Sequence, residues 1–154
     1  MFLALFSAIS AAAFAQVPVA PGATTQDFEH AAASPGSWAY QPLQGGSQAY
    51  FMDTSGTIRL FVQCSRPTRV VTISRTSATP AALLTVWTST QQRNLPARFD
   101  PNGMRVSASV AAADRLLDAV AFSRGRIAVM MPGAAPLVVV PGPETARVFE
   151  DCRN

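Results

Sequence analysis

Two arginines flank a single glycine directly after a segment with helical spacing, and this is the densest group of chemically capable side chains in the sequence. The group is Arg124, Gly125 and Arg126, preceded by Asp118. Guanidinium groups bind phosphate and carboxylate groups through paired hydrogen bonds, so this spacing could form an anion-binding site. The alternative, which we favour, is that the arginines offset the negative end of the helix dipole and pair with Asp114 or Asp118. A wider anion- or glycan-binding surface would comprise Arg124, Arg126, Arg66, Arg69 and Arg75.

The side chains of the common catalytic sets are missing or badly placed. His30 is the only histidine, and it lies in an Ala-, Pro- and Gly-rich segment where a catalytic base would lack a rigid setting. No G-x-S-x-G, H-E-x-x-H, Walker A or G-x-G-x-x-G motif occurs. The acidic pairs Asp114/Asp118 and Glu150/Asp151 could do acid–base chemistry, but such pairs are more typical of a solvated face. We therefore predict a protein that is not an enzyme and has no cofactor and no metal site.

The two cysteines, Cys64 and Cys152, are predicted to form one disulfide. Cys64 ends an alternating apolar run, and Cys152 shares one helical face with Val148 and Phe149. Both cysteines are therefore expected to face the core. The alternative of a redox or nucleophilic thiol has little support, because no C-x-x-C motif and no neighbouring histidine are present.

The first fifteen residues are predicted to be a secretory signal peptide. They are apolar and uncharged, and Ala13-Phe14-Ala15 matches the small-x-small pattern before a cleavage site. The run is too short to span a bilayer, and it lacks the usual basic residue at its start. A buried N-terminal helix is the alternative. The resulting expectation is a periplasmic or secreted protein of a Gram-negative cell, without stable membrane insertion after cleavage, in a compartment that oxidises cysteines.

Composition indicates a folded domain with a mildly basic surface. Hydrophobic residues make up 49% of the chain and charged residues 14%, which is enough apolar material for a packed core. All 12 basic residues are arginine, and against nine acids they give a net charge of +3. The arginines are dispersed among acids, so we expect no nucleic-acid partner.

The remainder divides into a flexible leader, 16–37, and a single β-rich domain, 38–154. Eight short segments of the domain have alternating or β-branched character between turn signals. They are 38–43, 47–53, 57–64, 68–75, 83–89, 104–110, 126–131 and 136–140. This pattern predicts a mainly β domain of seven to eight short strands, either a β-sandwich or a half-open barrel.

Two short helices are predicted within this domain. Residues 114–122 have helical spacing, with Asp114 as N-cap and Gly125 suited to end the following turn. Residues 143–151 form the second helix, with Pro143 in its first turn and Glu144 at its positive end.

Two stretches resemble small secreted proteins of unassigned role from GC-rich Gram-negative bacteria. These stretches are 117–126, which contains Phe122-Ser123-Arg124-Gly125, and 146–153, which ends near Cys152. More distantly, the layout is similar to periplasmic proteins called invasion-associated or type VI secretion-associated. The shared layout is a strand ending in cysteine, an F-S-x-G turn and a last helix ending in cysteine. The resemblance covers about residues 38–153 and implies the disulfide and the β-rich fold.

The sequence therefore predicts a secreted, non-enzymatic domain that acts as an envelope component or binds a protein or envelope partner. The alternative is an anion- or glycan-binding domain that uses the arginine set given above. A hydrolase of unknown type is the least favoured possibility.

Overall fold

A computed structural model describes residues 28–154, in which ten strands form two antiparallel sheets and two short helices pack against them. The predicted mainly β fold with two short helices, one of them C-terminal, is confirmed, and its two layers make it sandwich-like. The strands are β1 (Gly36–Leu43), β2 (Gly46–Asp53), β3 (Ile58–Ser65), β4 (Val70–Thr76), β5 (Leu83–Trp87), β6 (Gln92–Pro96), β7 (Arg98–Asp100), β8 (Arg105–Ala111), β9 (Ile127–Met130) and β10 (Leu137–Val139). The helices are α1 (Arg115–Ala121) and α2 (Pro143–Arg153).

The larger sheet has the strand order β1-β2-β3-β4-β8-β7. Its strands bury one face because apolar and polar residues alternate along them. In β3, for example, Leu60, Val62 and Cys64 are buried whereas Arg59 and Gln63 are exposed. The predicted division of this strand into two faces is therefore confirmed.

Turn chemistry fixes the first two hairpins of this sheet. A two-residue loop joins β1 to β2, and Gly45 in that loop has a φ of +80°, which favours glycine. In the next turn, one carboxylate oxygen of Asp53 accepts hydrogen bonds from the backbone N–H groups of Ser55 and Thr57, each at 3.0 Å. Both turns lie in the gaps between the predicted strand segments 38–43, 47–53 and 57–64.

The smaller sheet has the strand order β10-β9-β5-β6. One of its two inner strands, β9, buries Ile127, Ala128 and Val129. An almost continuous apolar run is expected for a strand covered on both faces.

Helix α2 covers the inner face of the larger sheet where it contacts β1, β2, β3 and β4. Val148, Phe149 and Cys152 are buried there. The disulfide between Cys64 and Cys152 joins the helix to β3, with the two Cα atoms 5.5 Å apart. The predicted pairing and the predicted docking face of the helix are both confirmed.

Helix α1 begins as predicted, because the side chain of Asp114 accepts a 2.8 Å hydrogen bond from the N–H of Leu116. Leu116, Leu117 and Val120 form its buried face. Gly125, in the turn that follows, has a φ of +81°, the left-handed conformation in which a glycine ends such a turn.

Two strands, β6 and β7, have no counterpart in the sequence prediction. β6 buries only Leu95 of its five residues, so it has no repeating apolar pattern. β7 has three residues and lies in the gap between the predicted segments 83–89 and 104–110. The loop before β8 occupies 101–104, because Asp100 still pairs with Arg105 of β8. Pairing with neighbouring strands, rather than local sequence, defines both elements.

Residues 28–35, which belong to the segment predicted as a leader, contact the smaller sheet. The ring of Phe28 is 2% exposed and packs edge-on against Trp87, with the ring centroids 5.6 Å apart. The N–H of Ser34 donates a 2.7 Å hydrogen bond to the carbonyl of Val138. Burial of an apolar ring explains why this part of the segment lies on the sheet. The predicted signal peptide, 1–15, and the first part of the leader lie outside the described residues.

Candidate functional site

The connection between α1 and β9 is held in one conformation by hydrogen bonds to the loop between β5 and β6. The N–H of Ser89 donates to the hydroxyl of Ser123, and the N–H of Arg124 donates to the hydroxyl of Ser89, each at 2.9 Å. The Ser123 hydroxyl in turn donates a 2.6 Å bond to the carbonyl of Arg126, which closes the turn around Gly125. Reciprocal bonds of this kind preorganise a surface loop.

Phe122 projects from the start of this connection into solvent. Its side chain is 80% exposed, although its N–H is fixed by a 2.9 Å bond to the carbonyl of Asp118 at the end of α1. A small groove of about 90 Å³ lies next to it between the two helices, with Ala146 and Phe149 in its wall. An exposed aromatic side chain on an ordered backbone beside a groove is a feature of protein–protein contact surfaces.

Arg124 and Arg126 have different environments. Arg124 is exposed, and its side chain has no partner within residues 28–154. Arg126 donates a 2.5 Å hydrogen bond to the backbone carbonyl of Glu29. The pairing that we favoured from the sequence is wrong, because Asp114 pairs with Arg93 at 2.5 Å and Asp118 pairs with an arginine of α2 at 2.7 Å.

Arg66 and Arg69 lie in a second place, the turn between β3 and β4. Arg66 is 3.9 Å from a carboxylate oxygen of Asp151, and Arg69 donates to the backbone carbonyl of Arg153. Both arginines are therefore engaged with the end of α2. Sequence reasoning missed these contacts, because they join positions more than 80 residues apart.

Arg75 lies in a third place, between the two sheets. It is 6% exposed, and it donates to the carbonyls of Val129 at 2.8 Å and Ala135 at 2.5 Å. Burial, and to a smaller extent the charge of Arg59, lowers the pKa of its guanidinium. Arg75 is six positions beyond Arg69 along an extended chain, a separation of about 20 Å. The five candidate arginines therefore do not converge on one ligand.

Most carboxylates of the two acidic pairs already have partners. Burial alone would raise the pKa of Asp114, but hydrogen bonds from Arg93 and from the N–H of Leu116 lower it below its ordinary value. Asp118 pairs with Arg153 at 2.7 Å, and Asp151 accepts a 2.7 Å bond from the hydroxyl of Tyr40. These carboxylates act in helix capping and in holding α2.

Residues 28–154 contain no group of three or more histidine, cysteine, aspartate or glutamate side chains that could hold a metal ion. None of the helices in that range has the length and apolar character needed to cross a bilayer. Two larger surface clefts occur elsewhere. One, of about 250 Å³, lies near Ser34, Arg59 and Leu137, and the other, of about 260 Å³, lies between β1 and α2.

Comparison of the chain with protein-family models, with curated proteins and with solved structures finds no match. The site is therefore interpreted from its own geometry. The resemblance to secreted Gram-negative proteins stays a prediction from the sequence.

Proposed function

We propose that this protein is a disulfide-bonded extracytoplasmic module that binds another protein through the surface around Phe122 and Arg124. The observation that carries this proposal is the 80% exposure of Phe122 on a loop fixed by hydrogen bonds. The exposed guanidinium of Arg124 lies two residues away on the same loop. Both groups are thus available to a partner without rearrangement of the loop.

The chemistry of these two residues supports a protein partner. Aromatic and arginine side chains dominate the binding energy of protein interfaces, because they bury much area and arginine makes several directed hydrogen bonds. A loop that is already ordered loses little conformational entropy on binding. The groove between α1 and α2 offers the partner an adjoining depression with Ala146 and Phe149 in its wall.

The disulfide supports a location outside the cytoplasm. Cys64 and Cys152 are both at most 2% exposed and are joined within the core, as is typical of proteins from oxidising compartments. The apolar segment 1–15 with its Ala13-Phe14-Ala15 sequence supports export through a cleaved signal peptide.

A binding role has more support than catalysis or than recognition of an anion or glycan by the arginine set. Asp114, Asp118 and Asp151 are occupied by structural partners. The arginines occupy three separate places, and Arg75 is buried. Arg124 remains the arginine of this set best placed to meet a partner, and it lies on the Phe122 surface.

Site-specific photocrosslinking in the producing cell tests this function. A photoreactive phenylalanine analogue at position 122 should give a covalent adduct with one protein. The same analogue at Leu83, an apolar residue of β5 that is 41% exposed, is the matched control and should not give that adduct. Arg124→Glu should reduce the adduct from position 122. Identical adducts from both positions, or none from position 122, would contradict the proposal.

A further inference from the structure

Within the described residues, 28–154, strand β1 leaves one of its edges open. It pairs with β2 alone, and no backbone group of residues 28–154 bonds to its other edge. Pro42 lies opposite Ser47 of β2 and has no N–H to donate, so the two residues form a non-hydrogen-bonded pair. Residues of β1 in such pairs direct their backbone groups away from β2. Trp38 and Tyr40 precede it by four and two positions and belong to the same outward-pointing set. Their N–H and C=O groups can therefore pair with another strand.

The other sheet edges are short or carry charges, whereas β1 is long and uncharged. β7 has only three residues and carries Arg98 and Asp100, and β6 carries Arg93 and Pro96. β10 also has three residues, and the segment before β1 bonds to it. β1 has eight residues and no charge, and its Pro42 removes a donor only near the turn, which leaves Trp38 and Tyr40 able to pair. Soluble proteins prevent unwanted pairing of edge strands by keeping them short or by placing charges or proline in them. A long uncharged edge strand therefore indicates pairing with a partner strand.

We propose that β1 pairs with β1 of a second copy of this chain, antiparallel and about a two-fold axis at Ala39. The two six-stranded sheets then form one continuous sheet across the dimer. The contact lies at β1 and the adjoining side of α2, so it uses neither Phe122 nor Arg124. It is a second surface, separate from the one proposed to bind another protein.

The groove between β1 and α2 shows which side chains a second copy would meet. It is lined by Tyr40, Pro143, Glu144 and Arg147 and has a volume of about 260 Å³. The helix begins near Trp38, whose indole N–H donates a 2.8 Å bond to the carbonyl of Val140 just before it. One turn further on, the guanidinium carbon of Arg147 lies 4.0 Å from the centroid of the Tyr40 ring. Glu144 is therefore at the Trp38 end of the groove and Arg147 at the Tyr40 end.

Trp38 and Tyr40 can pair with the same residues of a second copy in three two-fold registers. The charges of Glu144 and Arg147 favour one of the three. Pairing Trp38 with the partner's Trp38 would place the two Glu144 carboxylates together. Pairing Tyr40 with the partner's Tyr40 would place the two Arg147 guanidinium groups together. Pairing Trp38 with the partner's Tyr40 puts each Glu144 opposite an Arg147, and its axis passes through Ala39. Like charges disfavour the first two registers, and opposite charges favour the third.

The residue at the axis suits this register. Ala39 would face its own copy as a non-hydrogen-bonded pair, in which the Cα atoms are about 4.5 Å apart. Its methyl group points to the outer face of the sheet, where it leaves room for the close approach.

The mass of the purified protein in solution, measured by size-exclusion chromatography with light scattering, is the first test, and a dimer is expected. Arg147→Glu and Glu144→Arg should each raise the dissociation constant by about tenfold or more, since each creates like-charge contacts across the axis. The double variant carrying both changes should recover most of the lost affinity. Arg115→Glu on α1, an exposed arginine away from β1, is the matched control and should leave the dimer unchanged.

Cysteine crosslinking tests the register. Ala39→Cys should form a covalent dimer on mild oxidation, because the two introduced thiols would face each other. Ser37→Cys alone should not, since its copies would be about 13 Å apart along the strands. A mixture of Ser37→Cys and Gln41→Cys proteins should crosslink, because these positions face each other in the same register. A monomer at all concentrations, or a dimer insensitive to both charge reversals that crosslinks equally through Ser37→Cys, would overturn the proposal.

Discussion

The hydroxyl of Tyr40 in β1 donates a 2.7 Å hydrogen bond to the carboxylate of Asp151 in α2, one residue before the disulfide-bonded Cys152. This contact joins the first strand of the larger sheet to the last turns of the chain. Burial alone would raise the pKa of Asp151, but the adjacent hydroxyls of Ser47 and Tyr40 and the charges of Arg66 and Arg147 lower it below its ordinary value. In the folded protein the Asp151 carboxylate is therefore charged and hydrogen-bonded. Because protonation would weaken these contacts, the packing of α2 depends on pH.

We expect the stability of the protein to fall in acid partly through Asp151. A carboxyl whose pKa is lower in the folded state stabilises the fold above its unfolded pKa, and that stabilisation is lost as the pH falls through the folded value. The ordinary pKa is 3.8, so the free energy of unfolding should decline below about pH 5. Asp151→Asn should lower stability at neutral pH and make the acid decline shallower, as measured by urea unfolding at several pH values.

Tyr40→Phe should act in the same direction, because it removes the hydrogen bond and keeps the ring. Tyr50→Phe, on the outer face of the same sheet, is the matched control and should leave the acid decline as it is in the wild type. If Asp151→Asn left stability unchanged at neutral and acid pH, the contact would not be formed in solution.

The disulfide should supply a large part of the stability of the fold. It spans 88 positions, and the loss of such a bridge typically lowers the free energy of unfolding by about 2 to 5 kcal/mol. Cys152→Ser and Cys64→Ser should each lower the melting temperature and expose α2 to protease. The double variant should add little to either single change, because all three remove the same bond. Two reactive thiols per chain in the oxidised native protein would contradict the bridge.

The turn that presents Phe122 should depend on glycine at position 125. Gly125 has a φ of +81°, and apart from its two chain neighbours no residue has an atom within 4 Å of the position that a Cβ would take. Gly125→Ala should therefore lower stability by about 1 kcal/mol through backbone strain alone. Gly125→Asn is the control and should lower it less, because asparagine tolerates this conformation. An unchanged melting temperature for Gly125→Ala would mean that the turn adopts another conformation in solution.

The elements that the sequence predicts well are those with a strong local signal. The alternation in β3 and the helical spacing of Val148, Phe149 and Cys152 each identify a buried face, and the two faces together predict the disulfide. β6 and β7 escape prediction because their few buried residues follow no period. Their existence depends on pairing with other strands, which a local pattern does not encode.

The candidate site is harder to predict, because its properties depend on contacts between distant residues. The residue type is the same at both positions, so it does not show that Arg75 is buried and Arg124 exposed. The sequence does contain a signal for Phe122, since it lies two positions after Val120, the last residue of the buried face of α1, and so falls outside that face. The two hydrogen bonds that Ser89 makes with this loop join residues 34 and 35 positions apart and have no local signature.

Arg75 should be a structural residue rather than a ligand contact. Its guanidinium bonds to the carbonyls of Val129 and Ala135, and it is the only one of the five candidate arginines that is buried in residues 28–154. Arg75→Ala would leave a buried carbonyl without a donor and open a cavity, and it should lower the free energy of unfolding by at least about 2 kcal/mol.

Arg124→Ala is the matched control, and it should change stability by less than about 0.5 kcal/mol, as expected for an exposed side chain. Arg75→Lys should be intermediate, because one ammonium group keeps the charge but does not reproduce the fork that spans two carbonyls. Urea unfolding of the three variants measures these differences. Equal stability of Arg75→Ala and the wild type would mean that the two carbonyls find other donors, and Arg75 would then be free to act as a ligand contact.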